Sequence, residues 1–339
     1  MMENKSEERK EEKHKTVLLE EAVEALNVKE GGVVVDATLG AGGHTLKIVK
    51  KVGDSGKVIA FDLDRRAIEK FVAKNDFTVK EKKGRIYVIE EKPLILVQEN
   101  FKNIKQVVKD LYSIGDLSRD RVNGVLADLG WRIEQVQDKE YGMSFQNDAP
   151  LDMRFDLDSD GLTAREIVNQ WSAEELANIF KELGEESRAG QIAQAIVERR
   201  EQAEIVTTGE LADLVREVKG EARGKLHPAT KVFQALRIAV NGELSNLQEF
   251  LENAFDVLES KGRLVIISFH SLEDRLVKDF FRAKARGCVC PKEIPICVCG
   301  QKRELKVISS GTIRADKNEL ALNPRARSAS LRIAQRIQK

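Results

Sequence analysis

The sequence of 339 residues has no apolar run as long as a transmembrane helix needs, which is about 18 residues or more. Its amino terminus, MMENKSEERKEEKHK, alternates acidic and basic residues and lacks the apolar segment of a secretory signal. Both absences argue against a membrane or secreted protein. We therefore expect a cytoplasmic protein in which residues 1–14 form a disordered tail.

Cysteine is scarce, and the four cysteines all lie in the segment GCVCPKEIPICVCG, as Cys288, Cys290, Cys297 and Cys299. Nothing in this distribution indicates a secreted disulfide scaffold. Four thiols at this spacing could hold a tetrahedral zinc ion, although C-x-C is less diagnostic of zinc than C-x₂-C. Two interpretations stay open, a zinc site and a loop of reduced thiols.

Net charge is also absent, because 56 basic residues balance 56 acidic ones. This balance argues against a nucleic-acid partner, since phosphate contacts need Lys and Arg. The charge is unevenly distributed, however, because residues 275–339 contain 16 Lys or Arg against 5 Asp or Glu. This basic segment is interpreted either as a solvated face or as a surface that contacts nucleic acid.

Alternating strand and helix signals begin near residue 33. Val33–Val35 is a β-branched run, 45–50 has a helical pattern, and Lys57–Phe61 predicts a second strand. Together they have the order and length of one βαβ unit, which predicts an α/β fold with a parallel sheet. Further strands are predicted at 86–89, 94–97, 122–127 and 262–269, with a hairpin near 80–84.

The strands predicted at 122–127 and 262–269 are separated by more residues than an ordinary crossover contains, and this stretch is mostly helical in pattern. We predict an inserted all-helical domain at 139–224, with its core in 163–197 and a further helix capped by Thr208. Residues 15–138 and 225–339 then form one discontinuous α/β domain.

A glycine-rich loop joins the first strand to its helix. Gly40, Gly42 and Gly43 allow a tight turn and a close approach of the backbone to a ligand at a helix start. Asp62 follows 20 residues after Gly42, at the end of the next strand, where a carboxylate binds the ribose of an adenosine. The glycines do not fit G-x-G-x-x-G, which makes a nicotinamide cofactor a weaker hypothesis without excluding it. A turn that only allows strand and helix to pack is the alternative.

The strand ends at Asp36, Asp62, Phe101 and Asp128 should meet at the carboxyl edge of the sheet, where open α/β folds bind ligands. Phe101 is interpreted as a ring against adenine or as an ordinary core aromatic. Asp128 is interpreted as an acceptor for an amino group, or as a helix cap or surface carboxylate. The sequence therefore predicts a ligand site at this edge.

Several segments resemble the ribosomal RNA small-subunit methyltransferase H family. They extend in order over nearly the whole chain: HKTVLLEEAVEAL, DATLGAGGH, PLDMRFD, GEE, HPATKVFQALRIAVNGEL, GRLVIISFHSLEDRLVK and NPRARSASLR. The resemblance implies a Rossmann-like S-adenosylmethionine-dependent methyltransferase fold with the inserted helical domain. It also implies N4-methylation of a cytosine in the decoding centre of 16S rRNA, with 16S rRNA or the small ribosomal subunit as partner.

Carried onto this chain, the resemblance implies a set of residues that contact S-adenosylmethionine: Gly42, Gly43, His44, Asp62 for the ribose, Phe101, Asp128 and Gln135. One segment departs from the family. After DLG the family usually has a small residue and a Ser pair, whereas this chain has Trp131, Arg132 and Ile133.

The implied reaction restricts the roles of the remaining residues. The exocyclic amine of cytosine is delocalised into the ring, so acceptors must favour a pyramidal nitrogen in line with the methyl donor. Asp128 is the first candidate catalytic residue, and His270, beside Ser268, is the second. An extruded base needs a basic rim, for which the candidates are Arg237, Asn241, Arg275, Arg325 and Arg327. Each of these Arg side chains is equally well interpreted as one half of a surface salt bridge.

Two other functions remain open from the sequence. A dinucleotide-dependent oxidoreductase could use the same α/β scaffold, and a non-catalytic RNA-binding or ribosome-assembly factor could retain the fold. The oligomeric state is open as well, with a dimer among the alternatives.

Overall fold

A computed structural model describes residues 16–146, 148–220, 227–287, 290, 299–300, 302–309 and 311–337. The predicted tail over residues 1–14 lies outside these ranges. Within them, no helix combines the length and apolar character that crossing a membrane would require.

The described strands form one sheet in the order β3-β4-β5-β2-β1-β6-β7-β9-β8. The five adjacent strands β5-β2-β1-β6-β7 are parallel to one another, whereas β3, β4 and β9 each pair antiparallel with their neighbours. The strands are β1 (Val33–Asp36), β2 (Lys57–Asp62), β3 (Val79–Lys83), β4 (Ile86–Ile89), β5 (Leu94–Gln98), β6 (Val122–Asp128), β7 (Leu258–Ser268), β8 (Leu305–Val307) and β9 (Ser330–Arg336).

Helices connect most of these strands. They are α1 (Leu19–Ala25), α2 (Gly43–Val52), α3 (Arg65–Lys74), α4 (Ile104–Ser113), α5 (Ile133–Gln137), α6 (Ala164–Gln170), α7 (Ala173–Glu182), α8 (Ala189–Gln202), α9 (Thr208–Lys219), α10 (Thr230–Asn241), α11 (Glu243–Val257), α12 (Ser271–Ala285) and α13 (Lys317–Leu322). Short 3-10 helices span Phe101–Asn103, Lys139–Tyr141 and Pro324–Arg327.

Both faces of the parallel sheet are covered, which explains why its strands are apolar along their length. Along β2, Ile59 and Phe61 face one core together with side chains of α4, α11 and α12. Val58 and Ala60 face the opposite core, which contains side chains of α1, α2 and α3. The fold is therefore Rossmann-like, with helical layers on both sides of the sheet, as the sequence predicts.

A third core belongs to the helices between β6 and β7. Apolar side chains of α6, α7, α8, α9 and α10 share it, from Leu151 to Leu236. Three of these helices start with reciprocal capping boxes, in which Thr163, Ser172 and Thr207 pair with a Glu three residues later. This helical core agrees with the predicted insertion, although its bounds as a domain stay a prediction.

Several local predictions need adjustment. The cap of α9 is Thr207, because its extended backbone lets its hydroxyl accept the N–H of Glu210, and Thr208 is instead the first helical residue. Strand β7, which was predicted at 262–269, begins at Leu258, four residues before the predicted start. The hairpin near residue 80 is confirmed, since β3 and β4 pair antiparallel.

Candidate active site

The carboxyl ends of the five parallel strands surround a cavity of about 450 Å³, a size typical of small-molecule sites. The predicted residues that line it are Gly43, His44, Asp62, Phe101, Asp128, Gln135 and His270, together with the rim candidates Arg237, Asn241 and Arg325. Gly42 lies in the same loop but is not among the lining residues. The structure thus brings most of the predicted site together at the expected edge of the sheet.

Close packing within the protein explains the glycines of the loop. Gly42 has φ +81°, and a Cβ there would lie 1.9 Å from the ring of Phe71. A Cβ at Gly43 would lie 1.8 Å from Oγ1 of Thr16. Helix α2 starts at Gly43 without a side-chain cap. The loop therefore needs glycine for its own turn and packing, which brings the start of α2 to the cavity.

Asp62 has the arrangement expected of a ribose ligand. Its Oδ2 accepts the N–H of Gly40 at 3.1 Å, and its Oδ1 accepts the N–H of Asp64 at 3.0 Å. Each carboxylate oxygen can accept a second hydrogen bond. Burial raises the pKa of Asp62, and the nearby Arg132 guanidinium counteracts that rise. The carboxylate can therefore accept one hydroxyl on each oxygen.

The sequence did not predict the contacts of Asp64, which lies two residues beyond Asp62. Its Oδ2 accepts the hydroxyl of Tyr141 at 2.7 Å and pairs with the guanidinium of Arg132. Its Oδ1 caps α3 by accepting the N–H of Arg66. The segment beginning at Trp131, where the sequence departs from the family pattern, is thus anchored through Arg132 to the loop that presents Asp62. The acidic pair D-x-D was the available signal, but its partner could not be read from sequence.

Asp128 lines the cavity, and one oxygen of its carboxyl group is unpaired. Its Oδ1 is buried and has no hydrogen-bond partner among the described residues, while its Oδ2 lies 3.8 Å from Nδ1 of His44. Burial raises the pKa of Asp128 well above its usual value, and the carboxyls of Asp36 and Glu273 raise it further. The group can accept a hydrogen bond and is poised to take up a proton.

Asp36 lies behind this site, at the end of β1. It accepts hydrogen bonds from Oγ1 of Thr45 at 2.6 Å and from the N–H of Thr38 at 3.1 Å. Burial raises its pKa to about 7 despite these bonds. Asp36 does not line the cavity, so it acts on the site through its charge and through the loop that it holds.

Gln135 and Phe101 line the cavity and also have structural contacts. Gln135 accepts the N–H of Arg132 at 3.0 Å and donates to the carbonyl of Phe155 at 3.3 Å, which fixes the start of α5. Phe101 packs edge to face against Phe250 at 4.9 Å between ring centres. Phe101 thus packs against the core, as one interpretation of it expected, while the cofactor contacts of both residues stay predictions.

His270 caps the start of α12 on the cavity wall, and its Nε2 lies 3.2 Å from Oε1 of Glu273. Burial alone would raise the pKa of Glu273, but His270 and the N–H of Phe269 lower it. Ser268, which was named beside His270, does not line the cavity, and its hydroxyl donates to the carbonyl of Ser330 at 3.3 Å. Ser330 lies directly opposite Ser268 where β7 and β9 pair antiparallel.

Glu243, His270 and Glu273 bring ligand atoms within 4.8 Å of one another and could hold a metal ion. Arg237, however, donates two hydrogen bonds to Glu243, at 2.7 and 3.0 Å. A guanidinium bound in this way neutralises the carboxylate that a cation would need. The group is better interpreted as an ion-pair network on the cavity wall.

The other candidates are more scattered. The side chain of Asn241 is already hydrogen-bonded to backbone groups, since it accepts from the N–H of Phe155 and donates to the carbonyl of Met153. Arg275 is exposed and pairs with Glu185, and neither Arg275 nor Arg327 lines the cavity. Of the four cysteines, Cys288 and Cys297 lie outside the described residues, so the zinc site stays a prediction.

Comparisons with known proteins identify the family of the chain. The model of the MraW methylase family matches residues 11–337. The chain belongs to the MraW methylase family. Its membership confirms the resemblance stated from the sequence, and the chain is a methyltransferase whose cofactor is S-adenosylmethionine, not a nicotinamide dinucleotide.

The chain matches curated relatives over nearly their full length. A protein of Carboxydothermus hydrogenoformans is 46% identical over 96% of this chain and 98% of its own, and one of Halothermothrix orenii is 44% identical over 96% and 98%. Both are named ribosomal RNA small subunit methyltransferase H. A solved rRNA methylase from Streptococcus thermophilus is 12% identical, with a TM-score of 0.38 over 94% of this chain and 92% of that chain.

The site of this MraW methylase fits its cofactor. Asp62 keeps an acceptor position on each oxygen beyond its two backbone bonds, which matches the paired hydroxyls of a ribose. The flat ring of Phe101 and the start of α2 border the same cavity. When bound, S-adenosylmethionine supplies an electrophilic methyl group, and the protein must hold and orient the acceptor.

Proposed function

We propose that this methylase modifies N4 of a cytosine in the decoding centre of 16S rRNA, within the small ribosomal subunit or its free RNA. The names of the relatives support ribosomal RNA as substrate. The single observation that carries the choice of an amine acceptor is Oδ1 of Asp128, a buried and unpaired oxygen of a carboxylate that lines the cavity.

An amine substrate would supply the hydrogen-bond donor that this oxygen lacks. The N4 amine of cytosine has two N–H donors, so one of them can donate to Asp128 and relieve its unpaired state. That hydrogen bond favours a pyramidal nitrogen, whose lone pair then becomes available for methylation. The nitrogen must lose one proton when it gains a methyl group. Asp128, with its raised pKa, is the proposed acceptor of that proton.

His44 and His270 flank Asp128 in this proposal. His44 lies beside Oδ2 of Asp128 and keeps that carboxylate turned toward the cavity. His270 is held by Glu273 on the wall, where the acceptor base would lie. We propose residues 139–224 as the inserted domain that recognises the RNA, and the cytoplasm as the place of the reaction.

Cells that lack this protein provide the first test. Mass spectrometry of 16S rRNA should show that N4-methylcytosine is lost from the decoding centre, and that the wild-type gene restores it. An unchanged level of N4-methylcytosine would refute the proposal.

A purified system provides the second test. Small subunits from those cells should accept labelled methyl groups from S-adenosylmethionine with wild-type protein. Asp128→Asn should lose this activity, while Asp54→Asn, at an exposed carboxyl outside both the cavity and residues 139–224, should retain it. Equal activity of both variants would remove Asp128 from its role.

A further inference from the structure

Trp131 and Arg325 lie together at the cavity, where Arg325 is so far a candidate for the basic rim and Trp131 has no assigned role. The guanidinium carbon of Arg325 lies 4.5 Å from the centre of the Trp131 ring. Both residues line the cavity, yet Trp131 is 38% exposed. A large aromatic ring with this exposure leaves apolar surface available to a ligand in the cavity.

Two rigid elements hold the pair in place. Trp131 follows the turn at Gly130, which has φ +100°, and precedes Arg132, which is anchored to Asp64. Arg325 is part of the 3-10 helix Pro324–Arg327, whose Ala326 is buried in the core beside α1 to α3. The indole and guanidinium are therefore presented by fixed backbone.

Arg325 has unused hydrogen-bonding capacity. It makes no hydrogen bond and no ion pair with any other described residue, although burial lowers its pKa and Glu134 and Asp128 lie near enough to raise it. A guanidinium has five N–H donors in a planar fork that suits phosphate. A half-buried guanidinium whose N–H groups have no acceptor is costly, so an anion bound there would relieve that cost.

We propose that Trp131 and Arg325 bind one nucleotide of the acceptor RNA at the mouth of the cavity. Its base stacks on the exposed surface of the indole, and a phosphate oxygen accepts hydrogen bonds from the guanidinium. The inference rests on the proposed function and adds a subsite to it. It also assigns a role to the segment where this chain departs from its family.

Kinetics with small subunits test the subsite. Trp131→Ser should raise KM for subunits about tenfold, since stacking on an aromatic ring contributes about 1–3 kcal/mol per base. Trp131→Phe should stay within about threefold of the wild type because it keeps a ring. Arg325→Gln should raise KM and weaken its dependence on salt, since one phosphate contact is lost. The control is Tyr112→Ser, at an exposed aromatic residue that does not line the cavity.

Fluorescence provides a direct readout of stacking. The chain has two tryptophans, so Trp171→Phe leaves Trp131 as the only one. A cytidine-containing RNA hexanucleotide should quench its emission saturably, and Arg325→Gln should weaken this binding. The Kd for S-adenosylmethionine should stay within about twofold in every variant, as expected if the pair does not hold the cofactor.

The outcomes separate the subsite from the proposed function. Wild-type KM in both Trp131→Ser and Arg325→Gln would overturn the subsite while methylation stands. Equal losses in melting temperature and cofactor affinity for Trp131→Ser and Trp131→Phe would also overturn it, because they would indicate a purely structural clamp. If wild-type protein methylates no subunits but RNA still quenches Trp131, the subsite stands and the proposed function fails.

Discussion

Nδ1 of His44 lies 3.8 Å from Oδ2 of Asp128, across the cavity floor between the start of α2 and the end of β6. Asp128 ends β6 and His44 lies in the first turn of the helix that follows β1, and the two sites are neighbours because β1 and β6 pair parallel. This places the loop expected to hold the cofactor beside the carboxylate expected to hold the acceptor. The relationship makes the protonation state of Asp128 the first property to test.

Activity should depend on pH through Asp128. Because burial and two neighbouring carboxyls raise its pKa, Asp128 loses its charge at a higher pH than an ordinary Asp does, and the rate should fall as pH decreases through that raised pKa. Asp128→Asn should lower kcat by about 100-fold to 10,000-fold and remove this pH dependence. Single-turnover rates across a pH series measure both effects. A wild-type pH profile in the variant would exclude Asp128 as the proton acceptor.

Stability should depend on pH through Asp36. Its pKa of about 7 in the folded state exceeds that of an unfolded chain, so folding favours the protonated form. The resulting stabilisation is complete below the unfolded-state pKa and is lost as pH rises through about 7. We expect the free energy of unfolding to fall by about 1 kcal/mol between pH 6 and pH 8 from this group. Asp36→Asn should remove that component.

Chemical denaturation of both proteins at several pH values measures the difference. Asp54→Asn, at an exposed carboxyl, is the matched control and should keep the wild-type pH dependence. An identical slope in Asp36→Asn and wild type would show that Asp36 titrates as an ordinary carboxyl.

The sequence predicted those parts of the site that follow from local pattern. The β-branched run before Asp36 and the acidic end at Asp62 both identify strand ends, and parallel strands must present those ends on one edge. Contacts between distant residues could not be predicted in this way. The pairing of Arg132 with Asp64 and the turn of Ser268 toward Ser330 depend on tertiary packing.

Other parts of the fold were missed for a related reason. Strands β8 and β9 are short or mixed in polarity and come after a long region without a clear period. Strand β9 is stabilised by pairing with β7, which is distant in sequence. Intrinsic β-propensity depends strongly on such context, so the sequence pattern alone could not identify this edge of the sheet.

Cofactor affinity should depend on Asp62. Asp62→Ala removes the acceptor for two ribose hydroxyls, and hydrogen bonds to a charged group contribute about 1.5–3 kcal/mol each. We expect the Kd for S-adenosylmethionine to rise by at least about tenfold. Calorimetric titration measures it, with Asp54→Ala as an exposed control. Unchanged affinity would place the ribose elsewhere in the cavity.

Arg132 should couple the stability of its loop to cofactor binding. The guanidinium is largely buried, with 15% of its side chain exposed, and pairs with an Asp64 side chain that is only 4% exposed. Arg132→Met leaves that carboxylate buried without its cation, which typically costs about 3–5 kcal/mol. It also removes the charge that counteracts the raised pKa of Asp62. We therefore expect lower stability together with weaker cofactor binding that recovers as pH rises.

The double variant Arg132→Met with Asp64→Asn separates these two effects. It removes the unpaired charge, so its melting temperature should recover toward wild type, while the pH dependence of cofactor binding should persist because Asp62 still lacks its cation. Arg65→Met is the control, since this exposed Arg pairs with Asp158 at the surface. If the double variant is no more stable than Arg132→Met alone, the ion pair with Asp64 is not what anchors the segment.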